Sequence, residues 1–189
     1  PVQMYLREIG RVPLLTSKDE RNLAKDMESW ERLLELELIG NDTDNSETSG
    51  IEILQALVRQ ITSVTPLLDT ITNVLEFDQP MLALDMISHP KIRETIDGKI
   101  DPELVSKIAS KIPLEEPEIT KMMLSYAVDT RLLPPDFHGL IPQDMTWKDF
   151  RSMCNSGEFL ELIQPYSKEF RRFYQRIQTN GESSEKHLI

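Results

Sequence analysis

Apolar residues recur at intervals of three and four along almost the whole chain, and alternation of polar with apolar residues never persists over a useful length. A chain patterned this way buries its apolar side chains as helices with one apolar face, and it lacks the period of two that a half-buried strand requires. The expected fold class is all-α, an irregular multi-helix domain. Prolines and glycines then divide the pattern, because proline is tolerated at a helix start but not in its interior, and glycine favours helix ends.

Val2, Tyr5, Leu6 and Ile9 fall at i, i+3, i+4 and i+7, the apolar face of a short helix marked by Pro1 at its start and Gly10 at its end. Pro13, Leu14 and Leu15 make an extended apolar connection. Thr16 with Asp19 three residues on has the form of a capping box, so a second helix is expected from about Ser17. Its core seam is expected at Leu23, Met27, Trp30, Leu34 and Leu38, with Gly40 ending it. The stretch NDTDNSETSG, residues 41–50, is polar and turn-rich and reads as a mobile loop. Asp42, Asp44 and Ser46 open with the spacing of a calcium loop, but Glu47 stands where a glycine is needed and Ile53 where a bidentate Glu is needed. Calcium binding is therefore not expected there.

Ile51, Leu54, Leu57, Val58 and Ile61 mark a third helix, interrupted at Pro66 and resumed by Leu67, Leu68, Ile71, Val74 and Leu75. A short helix is expected through residues 81–87, before Pro90. Another starts at Asp101 and Pro102 and places Leu104, Val105, Ile108 and Ile112 on one face. A helix from the acidic residues Glu115 to Glu118 carries Ile119, Met122, Met123 and Tyr126 to about Leu132. Residues 132–144 hold three prolines and a glycine and read as a connection. Thr146 caps a helix bearing Trp147, Phe150 and Met153 that Gly157 closes, and a last long helix carries Phe170, Phe173, Tyr174 and Ile177 until Asn180 and Gly181 break it.

The 189 residues carry 32 acidic against 21 basic side chains, a formal net charge of −11. Free-standing nucleic-acid binders show the opposite balance, since Lys and Arg on phosphate supply most of their affinity. Taken alone the chain is expected to show no measurable affinity for duplex DNA at physiological salt. The longest apolar run, Met81 to Leu84, is far too short to cross a bilayer, and no charged-then-apolar leader opens the sequence. No membrane association and a cytoplasmic location are expected. One cysteine, Cys154, excludes an internal disulfide, and it reads as a buried thiol beside Met153 and Phe150. His89, His138 and His187 lack metal-ligand spacing, and Glu115, Glu116 and Glu118 sit at a helix start with no acid–base partner in view. No catalytic constellation, cofactor, metal or small-molecule substrate is expected, so the chain is not read as an enzyme. Lys168, Arg171, Arg172 and Arg176 interleave with Phe170, Phe173 and Tyr174, and at helical spacing this is a solvated basic face over a buried aromatic stripe.

The opening residues Pro1, Val2, Met4 to Gly10, Leu14 to Thr16, Glu20, Leu23, Ala24, Lys25 and Glu28 match a pattern that runs DPVRMYLREIG, then LLT, then an acidic stretch and a helix carrying Ala-Lys. In these residues the chain resembles conserved region 1.2 of the primary bacterial sigma factors of the sigma-70 family. It departs from them at Gln3, where the family has Arg, and in lacking the Asp before the proline. Gly181, Glu182 and His187 to Ile189 are similar to the opening of the family's region 2. The resemblance implies region 1.2 helices over residues 1–40, the loop 41–50, a helical non-conserved insert over 51–180 packed on region 1.2, and the start of region 2 over 181–189. It implies a fragment of a larger polypeptide acting in promoter-specific initiation, with core RNA polymerase and promoter DNA as partners, the DNA only within the holoenzyme.

The resemblance further implies that Met4, Tyr5, Leu6 and Arg7 contact the non-template strand at the discriminator, downstream of the −10 element, and that the insert can touch the polymerase largest subunit. An aromatic ring and an aliphatic chain can pocket an unstacked base while a neighbouring Arg meets phosphate. The helical spacing leaves the other reading open, in which Tyr5 and Leu6 face the core. The alternative function is an acidic all-α protein–protein interaction scaffold with no DNA role.

Overall fold

The computed structural model describes residues 2–4, 15–40 and 50–188, the side chains of 38–40, 187 and 188 excepted. All of its regular structure is helical: among the described residues there is no strand, and one isolated antiparallel bridge pairs Leu82 with Thr146. The all-α expectation holds.

Helix α1 spans Ser17–Gly40. After residues 41–49, α2 occupies Gly50–Ser63 and α3 Thr65–Val74. Two short helices follow, α4 Ala83–Ser88 and α5 Pro90–Asp97, then α6 Pro102–Ala109 and α7 Glu116–Arg131. The chain continues through α8 Pro135–His138, α9 Trp147–Cys154 and α10 Glu158–Ile163. A 3-10 turn at Gln164–Tyr166 leads into the long α11, Ser167–Leu188.

The core is centred on α2, which is apolar on a broad face: Ile51, Ile53, Leu54, Leu57, Val58 and Ile61 are all buried. It packs against α1, α3, α7, α9 and α11. The caps expected from the sequence form. Asp101 accepts from the Glu103 amide at 2.9 Å, Thr146 Oγ1 from the Asp149 amide at 3.2 Å, and Glu118 from the Glu115 amide at 3.2 Å. Each satisfies an amide that the helix itself leaves without a partner. His89 adds a cap that was not expected, its Nδ1 accepting from Lys91 N at 3.1 Å, because Pro90 opens a helix where the sequence suggested only an end. Trp147 is held in the core by a 3.1 Å bond from its indole N–H to Thr65 Oγ1, and Tyr126 by a 2.7 Å bond from its hydroxyl to the Met86 carbonyl.

Four readings are corrected. The buried residues of α1 are Leu33 and Leu36, whereas Leu34 is 39% exposed. The seam turns between Trp30 and Leu33 because α2 and α7 meet the second half of the helix from a different side than α11 meets the first. Residues 132–144 are not merely a connection: α8 forms there, and its Phe137 is fully buried with ring centroids 6.3 Å from Phe150 and 6.1 Å from Phe159. Gly50 is the first residue of α2 rather than the end of a loop, and the rest of that loop, with the calcium-like Asp42, Asp44 and Ser46, lies outside the described residues.

The fourth correction concerns Asn180 and Gly181, which do not break the last helix; α11 runs through both. A glycine inside a helix costs about 1 kcal/mol relative to alanine. Here the missing side chain makes room for a neighbour, since a Cβ on Gly181 would lie 2.2 Å from Trp30 Cβ.

Candidate functional site

The stretch that the sequence singles out leads into α1, so the site is built from the way α1 is started and held. Its start is a reciprocal box. The Thr16 amide donates to Asp19 Oδ2 at 3.0 Å, the Thr16 hydroxyl donates to the same oxygen at 2.7 Å, and the Asp19 amide donates to Thr16 Oγ1 at 3.2 Å. These bonds hold the Asp19 carboxyl below its ordinary value, the Thr16 hydroxyl contributing most. Arg21 Nε reaches back to the Ser17 carbonyl at 3.2 Å. The first turn of α1 is thus fixed locally, by residues that are all exposed.

The first half of α1, Ser17 to Ser29, carries no fully buried side chain. It is seated by α11, which runs antiparallel to it: Ser184 donates to Asp26 at 3.4 Å, and one turn on Gly181 lies flat against Trp30. At the other end of α11, a Cβ on Gly50 would lie 2.8 Å from the Arg171 backbone nitrogen, so α2 also approaches α11 at backbone distance.

The second half of α1 is seated by charge as well as by Leu33 and Leu36. Arg32 presents Nε and Nη2 to Asp129 at 2.6 and 3.1 Å, and its Nη1 reaches Glu35 at 2.8 Å. Asp129 is 3% exposed. Burial pushes its carboxyl up, while the Arg32 guanidinium beside it works in the opposite direction. The same pair pushes Arg32 up, the Asp129 hydrogen bond being the main cause. Arg131 Nη2 donates to Glu28 at 2.8 Å. On the far side of α7, Arg93 of α5 holds the Asp97 carboxylate with Nε and Nη2 and donates Nη1 to Thr130 Oγ1. The Thr130 hydroxyl passes its own proton to the Tyr126 carbonyl at 2.7 Å. The last turn of α7 is therefore the junction at which α1 and α5 are tied to the body.

Of the residues expected to meet DNA, Met4 is helical and 73% exposed, beside Val2 at 70%. Tyr5, Leu6 and Arg7 lie outside the described residues. On α11, Phe170 and Tyr174 are buried and Lys168, Arg172 and Arg176 are exposed, the division that helical spacing predicts. Cys154 is partly buried, and burial pushes its thiol up to about 12. His138 is pushed down by burial. Among the described residues, no three His, Cys, Asp or Glu side chains come together as a metal site, and no helix is long and apolar enough to cross a membrane.

The sequence reading missed the tethers of α1. Arg32 and Asp129 are 97 residues apart, and Glu28 and Arg131 are 103 apart. No local pattern announces such pairs. The available signal is Asp129 itself, a carboxylate placed near the end of an otherwise apolar helix face, where burial demands a cation.

Residues 1–33 match the family model described as Sigma-70 factor, region 1.2. The match supports a sigma-70 family factor with a role in transcription initiation by RNA polymerase, and it ends at Leu33, the first fully buried residue of α1. No solved structure matches the chain.

Proposed function

We propose that this chain is the region 1.2 and insert portion of a primary sigma factor and acts, without catalysis, in promoter-specific initiation in the cytoplasm. Residues 1–40 form region 1.2, residues 51–180 the insert on which it rests, and residues 181–189 the opening of region 2. The observation that carries this reading is the match over residues 1–33. It is supported by the way the matched helix is fixed, through Glu28, Trp30 and Arg32, to α7 and α11. A DNA-facing edge needs such a mount, because a contact held on a fraying helix loses its binding energy to ordering.

In this reading Met4, Tyr5, Leu6 and Arg7 meet the non-template strand at the discriminator, and the insert touches the polymerase largest subunit. The exposure of Met4 is consistent with that role. The net charge of −11 makes DNA binding dependent on basic surface supplied by the polymerase. The competing reading, an acidic scaffold that binds only proteins, draws on that same charge.

The test is promoter-specific initiation with core RNA polymerase by a sigma factor that carries this chain together with region 2. Tyr5→Ala and Leu6→Ala are expected to shorten open-complex lifetime, by an amount that depends on the discriminator sequence. Unchanged lifetimes on every discriminator would remove the DNA contact and favour the scaffold.

A further inference from the structure

Three arginines lie around the last turn of α7, and two use the same edge in the same way. Arg32 and Arg93 each set Nε and Nη2 together against one carboxylate, Asp129 and Asp97 respectively. This side-on fork is the strong geometry for a guanidinium. Arg131 fills only half of it. Its Nη2 reaches Glu28 at 2.8 Å, but its Nε is buried and has no hydrogen-bond partner. A buried donor left unmet costs the full desolvation of that group, so the open half-fork calls for an acceptor.

The space in front of it has a definite chemistry. A pocket of about 90 Å³ opens between α1, α5 and α7, lined by Lys25 and Glu28, Ile96, Leu124, Val128 and Arg131. Its two carboxylates, Glu28 and the adjoining Asp97, are already committed to Arg131 and Arg93. Lys25 and the Arg131 Nε remain to attract a negative group. The walls supplied by Ile96 and Val128 are apolar and buried, or nearly so, and Leu124 at the rim is 45% exposed.

We propose that this pocket is the docking point for an acidic side chain of a partner protein, carried next to an apolar residue that covers Leu124. The carboxylate completes the Arg131 fork and faces Lys25. The small volume admits one carboxylate and little else, and a body of net charge −11 disfavours a multiply charged phosphate ligand. An apolar rim beside a cationic floor suits a protein side-chain pair, since the apolar contact supplies area and the fork supplies orientation. The inference stands apart from the DNA contact proposed above, since none of its residues belongs to that edge.

The experiment is a titration of the full chain, labelled with nitrogen-15 in arginine, with the blocked dipeptide acetyl-Glu-Leu-amide. The Arg131 Nε–H resonance, assigned with Arg131→Lys, is the readout. A saturable shift with half-saturation at about 1–10 mM is expected for so small a probe. It should weaken about fivefold or more in Lys25→Met and in Leu124→Ser, both substitutions at exposed positions, and vanish with acetyl-Gln-Leu-amide. Isovalerate, a free carboxylate without a peptide backbone, should bind more weakly than the dipeptide. No saturation by about 50 mM would overturn the proposal, as would inorganic phosphate or isovalerate outcompeting the dipeptide. A dipeptide shift that appears only in Glu28→Gln would overturn it too, because Glu28 would then be closing the fork itself.

Discussion

At Gly181 any side chain collides with Trp30, and the collision is with the Cβ and Cγ, at 2.2 and 2.5 Å, rather than with a flexible tip. Gly157 has nothing within 4 Å of the position a Cβ would take. Gly181→Ala is therefore expected to destabilise by about 1–3 kcal/mol through overpacking, more than the ~1 kcal/mol that alanine returns in helix propensity. Gly157→Ala should be neutral or slightly stabilising, and paired urea melts compare the two. The ion pair between Arg32 and Asp129 gives a pH-dependent prediction. Burial already raises the Asp129 carboxyl above its ordinary 3.8, and Arg32→Leu removes the guanidinium that opposes the rise. A carboxyl raised in the folded state stabilises most below its unfolded value and loses that contribution as pH climbs through the folded value. The Arg32→Leu variant should thus lose about 3 kcal/mol near pH 8 and progressively less toward pH 5. Melts of wild type and variant at both values check the sign, and a larger loss at pH 5 would refute the assignment.

Among the elements, α1 is the least evenly held. Its first half rests on one box of exposed residues, one hydrogen bond to Ser184 and the face of Trp30, while its second half carries Leu33, Leu36 and the Asp129 pair. Amide exchange follows local opening, so protection should rise along α1, from fast exchange before about Ser29 to near-global protection at Leu36. Thr16→Ala removes the acceptor for the Asp19 amide and should speed exchange of that amide without changing the melting of α2. Uniform protection along α1 would contradict both expectations. The elements that the sequence made legible are those with a local signature: the boxes at Thr16 and Glu115, the caps at Asp101 and Thr146, the interruption at Pro66. The illegible ones depend on tertiary partners. The helix at Pro135 is drawn in by the burial of Phe137 among Phe150 and Phe159, and the straight run of α11 through Asn180 depends on Trp30, 150 residues earlier. The candidate contact residues Met4 to Arg7 were legible only by resemblance, because helical spacing alone cannot distinguish a face turned to a base from one turned to a core.

For the molecule as a whole, 32 acidic side chains against 21 basic ones set up a self-repulsion that few internal pairs relieve. Exposed charges farther apart than a Debye length are screened, and that length falls from ~30 Å at 0.01 M to ~8 Å at 0.15 M salt. Raising sodium chloride across that range should increase Tm by a few degrees, which scanning calorimetry would show; a fall would mean that surface ion pairs outweigh the repulsion. The antiparallel contact of α1 with α11 has a consequence in time. Asp26 and Ser184 are separated by 158 residues, so the helix at the start of the chain has its partner only after nearly the whole body has been synthesised. At ~5–20 residues per second, about 8 to 30 s pass between the appearance of one and of the other. During that interval Trp30 has no glycine to lie against, and α1 emerges complete but unmoored, open to whatever chaperone or partner meets a nascent amphipathic helix first.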